Sequence, residues 1–234
     1  MKYMGSKARL KKHIIPLINT KDRLYYEPFA GGMNMIDGVI GAKARLANDS
    51  NKYVIAAFKM LCAGWEPEFI SRDKYQELKN LNGEDHLIGW AGIACSYSGK
   101  WFGGYAGVVD TKGGRRDYQA EAIKNAIKQV NNLKGVMFSS VSYDEMHIEH
   151  GSVIYCDPPY AGTTGYSDRF DSEIFFDWCR KQAKHSDVYV SEYSAPDDFE
   201  CIAEFNLKSS LSANGFAGGS KDSIEKLFKV KALG

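Results

Sequence analysis

The chain has 234 residues, 44% hydrophobic and 25% charged, enough to bury one α/β core with a modest insertion. No apolar run reaches membrane-spanning length, and Met1-Lys2-Tyr3-Met4-Gly5-Ser6-Lys7 lacks a signal peptide's apolar core, so a cytoplasmic protein without membrane contact is expected. A net charge of +1 does not announce nucleic-acid binding, and five cysteines with no Cys-x-x-Cys fit neither a disulfide framework nor a zinc site.

The charge is unevenly spread. Residues 1–12 carry Lys2, Lys7, Arg9, Lys11 and Lys12 without an acid, and Lys112, Arg115 and Arg116 cluster among glycines. Such clusters neutralise phosphates or simply solvate a surface. Tyr25–Phe29 reads as a short strand entering the glycine turn Ala30-Gly31-Gly32, followed by an apolar helix over Met33–Ile40. A second strand, Ala44–Asn48, ends at Asp49. From Asn51 the spacing of Val54, Ile55, Phe58, Leu61 and Cys62 marks one helical face, with Gly64 as a stop. Residues 65–116 interrupt this βαβ rhythm with helical patterns near 72–81 and 85–95, then a loop over 96–105 rich in rings and glycine. Asp117 can cap a helix bearing Ala120, Ile123, Ile127 and Val130, and Asp171 one bearing Phe175, Trp178 and Cys179. Val136–Ser139, Val153–Cys156 and Val188–Ser191 read as strands and Pro196–Ala203 as a short helix. Phe205–Leu211 and Lys226–Lys231 read as antiparallel strands joined by the loop Asn214–Lys221. The alternation predicts an α/β fold: a Rossmann-like, doubly wound, mostly parallel sheet with an antiparallel C-terminal hairpin.

In such a sheet, ligands bind beyond the carboxyl ends of the strands. Three features fall there. Gly31 and Gly32 allow close backbone approach, or form a plain turn; Asp49 suits ribose hydroxyls, or caps the next helix. The third is Asp157-Pro158-Pro159-Tyr160. Proline cannot donate to a ladder and keeps the preceding residue extended, so the chain leaves the strand as a stiff loop with acceptors beside an aromatic face. Such a pocket suits a nucleobase with an amino group. Neither a Gly-x-Gly-x-x-Gly turn nor a P-loop occurs, so a nucleoside ligand without pyrophosphate, such as S-adenosylmethionine, fits best. Histidines 147 and 150 lie three apart with no evident third ligand, and no metal is expected.

Taken together, the motifs resemble those of the Dam-like, D12-class adenine-N6 DNA methyltransferases. Tyr3-Met4-Gly5-Ser6-Lys7, Glu27-Pro28-Phe29-Ala30-Gly31-Gly32, Asn48-Asp49, a variable insertion, Phe138–Asp144 and Asp157–Tyr160 keep that family's order. The resemblance implies that S-adenosylmethionine is the methyl donor and S-adenosylhomocysteine the product, with double-stranded DNA as partner. It places the donor's methionine part near Tyr3, Lys7, Ala30 and Gly31, with Glu27, Phe29 and Gly32 supporting that turn. Asp49 would hold the ribose, and Phe138, Ser142 or Tyr143 the adenine. Asp157 and the Pro158 carbonyl would polarise the target amino group, and Tyr160 would stack on the flipped base. Residues 1–64 and 117–234 would form the catalytic domain and 65–116 the inserted target-recognition region, with Lys100, Arg115 and Arg116 as DNA contacts. Guanine-N2 methylation of ribosomal RNA and a non-catalytic DNA-binding module on the same fold are the alternatives, and a monomer or a dimer is compatible with the sequence. The short insertion suits a relaxed target and a restriction, phage or mobile-element setting.

Overall fold

The apolar runs at 24–27, 44–48, 136–139 and 153–156 become adjacent parallel strands because helices cover both of their faces. The computed structural model describes residues 1–111, 113–159, 170–208 and 222–231. Among them the order is helix α1 (Lys11–Ile14), strands β1 (Leu24–Glu27) and β2 (Ala44–Asn48), then helices α2 (Lys52–Cys62), α3 (Arg72–Lys79) and α4 (Asp85–Ile93). Strands β3 (Val108–Thr111) and β4 (Gly114–Asp117), helix α5 (Tyr118–Val130) and strands β5 (Val136–Ser139) and β6 (Val153–Cys156) follow. Helix α6 (Ser172–Ala183) and strands β7 (Asp187–Glu192), β8 (Phe199–Lys208) and β9 (Asp222–Val230) complete it.

Seven strands form one sheet in the order β5-β2-β1-β6-β7-β9-β8. The first five are parallel; β9 runs antiparallel to both neighbours, β7 and β8. The chain winds outward from β1 to β2 and β5, then returns to β6 on the other side of β1. The strand order therefore reverses between β1 and β6, and the crevice beyond their carboxyl ends is the place for a ligand.

Strand alternation divides the core. Tyr25, Tyr155, Tyr189 and Leu227 face a cluster shared with α2, α3 and α4; Tyr26, Ile154, Cys156, Val190 and Phe228 face Phe175, Trp178 and Cys179 of α6. Each such fully buried side chain is worth roughly 1.5–3 kcal/mol of transfer free energy. Residues 65–116 are not a separate lobe in their packing, since Ile70, Tyr75, Leu78, Ile88 and Trp90 belong to the same cluster as Tyr25. Gly89 lets α4 lie directly on α2, for a Cβ there would collide with the Tyr53 carbonyl oxygen.

The doubly wound sheet and its antiparallel end match the sequence expectation, but three local readings differ. The Met33–Ile40 helix is only a 3₁₀ turn at Ile36–Gly38, because Met33 takes φ 58° and stops helix propagation at its start. Met33, Ile36 and Val39 are buried all the same, which is what the apolar pattern registered. Pro196–Ala203 is not helical: Phe199 already opens β8 opposite Val230, and a bulge between Cys201 and Ala203 breaks the period that would have signalled a strand. The hairpin β3–β4, paired from Val108 opposite Asp117 to Thr111 opposite Gly114, was not anticipated, since all four residues of β3 are exposed and carry no alternation. The loop 214–221 and Lys112 lie outside the described residues.

Candidate active site

The end of β2 clamps the turn that follows β1. Asn48 Nδ2 donates to the Pro28 carbonyl (3.1 Å), Ala30 N donates to the Asn48 carbonyl (2.8 Å) and Gly31 N donates to Asp49 Oδ2 (2.9 Å). The other Asp49 oxygen accepts from Asn51 N (2.9 Å), while the Asn51 side chain caps α2 through Tyr53 N and Val54 N. The cap is thus Asn51, and Asp49 instead ties the two strand ends together. Burial pushes the Asp49 carboxyl above its ordinary value, against the two backbone donors, and each oxygen keeps a lone pair for a ligand. Gly31 has φ 45°, and a Cβ there would lie 2.6 Å from the Tyr3 ring, which covers the turn. Glu27 is buried beneath, accepting from the Tyr25 hydroxyl at 2.8 Å; desolvation holds its carboxyl well above the usual range.

The segment 3–7 crosses the mouth, fixed to the insertion where Met4 N donates to the Gly99 carbonyl (3.1 Å). It delivers Lys7 to the end of β6. The Lys7 ammonium donates to the Gly5 carbonyl (3.2 Å) and pairs with Asp157 Oδ1 (2.8 Å) and Glu225 Oε1 (3.1 Å). Lys7 and Glu225 are 5% and 4% exposed, against 21% for Asp157, so Asp157 is the member that faces the crevice. The two carboxylates outweigh desolvation and raise the Lys7 pKa. Glu192, at the end of β7, is buried nearby; desolvation first, then the Asp157 charge, lifts its carboxyl to about 7.

These groups surround one cavity of about 830 Å³. Its lining includes Tyr3, Lys7, Glu27, Phe29, Ala30, Gly31, Gly32, Asp49, Ser142, Tyr143, Asp157 and Pro158, together with Lys100. One end is aromatic: Phe29 lies 5.3 Å from Tyr143 and edge-on to Phe170 at 5.8 Å, with Phe170 also in the lining. Burial raises the Tyr143 hydroxyl to about 12, so it stays protonated.

Other expected residues lie elsewhere. Phe138 sits on β5 opposite Ala47, packs against the main core, and does not line the cavity. Lys100 is at the cavity itself. Arg115 and Arg116 are exposed on β4, away from it; the Arg116 guanidinium pairs with Glu121 and covers the Tyr118 ring at 4.6 Å. Tyr160 lies outside the described residues. His150 stacks on His185 at 4.0 Å rather than approaching His147, and among the described residues no group of three metal-binding side chains occurs.

The sequence reading missed three residues here. Asn34 lines the cavity with its amide Nδ2 buried and without a hydrogen-bond partner among the described residues. Tyr193 lines it beyond β7. Glu225 completes the Lys7 cluster, and its parity with the buried Leu227, two residues on, was the signal available in the sequence.

Among solved structures, protein 1320 of Thermoplasma acidophilum is similar at 13% identity and TM-score 0.44, with 92% of this chain and 81% of that chain covered. PH1948 of Pyrococcus horikoshii, provisionally described as an RNA methyltransferase, is 9% identical at TM-score 0.46, covering 97% and 84%. The N-methyltransferase NodS of Bradyrhizobium japonicum is 7% identical at TM-score 0.41, covering 96% and 94%. Likenesses at this level carry nothing about activity. No curated protein sequence matches the chain. Residues 3–88, spanning the N-terminal motif, the glycine turn and Asp49, match the model of the D12 class N6 adenine-specific DNA methyltransferases.

Proposed function

We propose that the protein transfers a methyl group from S-adenosylmethionine to the N6 amino group of adenine in DNA. The observation that carries this reading is that Asp157 and Pro158 line the same cavity as Asp49 and the Gly31 turn, so a donor and an acceptor of the methyl group can meet there. Its volume falls within the span of about 300–1,000 Å³ usual for ligand sites. The residues suit the donor: the buried Asn34 amide, unpartnered among the described residues, offers a hydrogen bond, and the Asp49 oxygens each keep a lone pair for a ribose hydroxyl. When bound, S-adenosylmethionine supplies a sulfonium methyl already activated for displacement.

The protein's task is to prepare the nucleophile. The adenine N6 lone pair is delocalised into the ring. Accepting its two hydrogens at the Asp157 carboxylate and the Pro158 carbonyl favours a pyramidal nitrogen with a localised pair, aimed in line with the methyl. The base must leave the duplex stack, at a cost of a few kcal/mol. Tyr160 is assigned the stacking role that returns about 1–3 kcal/mol. In the same reading residues 1–64 and 117–234 are catalytic, 65–116 form the target-recognition region, and Lys100, Arg115 and Arg116 contact phosphates.

The test is a labelled-methyl assay on DNA and RNA in parallel, with product nucleosides identified. N6-methyladenine in DNA is expected; label only in RNA sinks the reading. Asp157→Ala should abolish turnover and leave donor affinity within about threefold, since Lys7 keeps Glu225 as its counter-charge.

A further inference from the structure

We infer that Glu225 is a positioning residue that acts through Lys7 to hold Asp157 ready for the target amino group. The inference rests on the assignment of Asp157 to that amino group.

Strand β9 is the antiparallel strand wedged between β7 and β8, remote in sequence from Lys7. On it Leu227 is fully buried, and Glu225, two residues earlier, shares its face. An apolar side chain would therefore be at home at position 225. A carboxylate there costs several kcal/mol of desolvation unless it is paired, and its partner is Lys7. Lysine has three ammonium hydrogens, and the Gly5 carbonyl, Asp157 and Glu225 are among the acceptors that meet them.

This division of one cation between two carboxylates has a chemical consequence. Facing Asp157 alone, a desolvated ammonium would take up most of that carboxylate's accepting power and compete with the adenine amino group. Glu225 draws on the same ammonium at 3.1 Å. Lys7 stays close enough to fix the Asp157 rotamer while its charge is shared with Glu225, and Asp157, the more exposed carboxylate, faces the crevice. Glu192 from β7 and Glu27 from β1 lie around the same cluster, both shifted towards their neutral forms by burial. Glu225, like Asp157, contacts the Lys7 ammonium directly.

The test is a double-mutant cycle of wild type, Glu225→Gln, Lys7→Met and the double variant, since only residues acting as a unit fail to add. Glutamine keeps the shape of Glu225 and removes its charge. Glu225→Gln should lower kcat roughly tenfold, with KM for DNA and calorimetric affinity for S-adenosylmethionine changed by less than about twofold. In the Lys7→Met background the same substitution should cost nothing further. Independently of turnover, ¹³C NMR of the lysine ε-carbon should show Lys7 titrating at lower pH in Glu225→Gln, because a raising charge is gone. A full, additive tenfold loss in the Lys7→Met background, or an unchanged kcat in folded Glu225→Gln, overturns the role. An unchanged Lys7 titration overturns the coupling itself. Wild type that methylates no DNA adenine overturns the functional reading instead, and the titration tells the two failures apart.

Discussion

Gly31 combines a left-handed backbone with contact against the Tyr3 ring, so two independent costs meet at one position. Gly31→Ala should lose about 1–2 kcal/mol in urea denaturation and weaken donor binding at least tenfold, because Tyr3 must leave the turn it covers. Asn34→Ala probes the opposite situation, an unpaired donor rather than a crowded carbon. Removing it should weaken calorimetric S-adenosylmethionine binding roughly fivefold to tenfold. Unaltered affinity in that variant argues against the amide as a cofactor contact. The residues readable from sequence were those on strand-end motifs, such as Asp49 and Asp157, because a strand that stops in a carboxylate and a turn is a local signal. Asn34 and Glu225 carry no local signature. Asn34 follows a glycine turn like any polar residue, and Glu225 has meaning only once β9 has brought it to Lys7 across the sheet.

At the scale of elements, caps and register decide where the site forms. The Asn51 side chain takes two of the first free N–H groups of α2, and Asp49 takes the Asn51 N–H itself, so one short run starts a helix and closes a ligand turn. Asn51→Ala should cost about 1 kcal/mol and lower Tm by roughly 2–4 °C in calorimetry. The helices capped by Asn51, Asp117 and Asp171 were legible because cap and apolar face lie within one stretch of chain. Strand β8 was not, because its identity comes from pairing with β9 and a bulge hides its period. The same holds for β3–β4, whose exposed residues leave no buried face to read.

The whole molecule stores several acids in a form that prefers to be neutral. Glu27, Asp49 and Glu192 are all raised by burial, Glu192 to about 7 from 4.5. An acid raised on folding binds more protons in the native state, so its contribution is fully present below its unfolded value and is lost as pH rises through the folded one. Tm should therefore fall between about pH 5 and pH 8, and Glu192→Gln should flatten that decline; a Tm that climbs across this window contradicts the buried-acid picture. The wedged position of β9 also bears on biosynthesis. Strand β8 touches the sheet only through β9, and Lys7 waits for an anion that leaves the ribosome more than two hundred residues later. A nascent chain can assemble the parallel half early, but Asp157 acquires its finished surroundings only when the last strand slots in. Synthesis itself thereby delays completion of the Lys7, Asp157 and Glu225 cluster until the whole chain has been made.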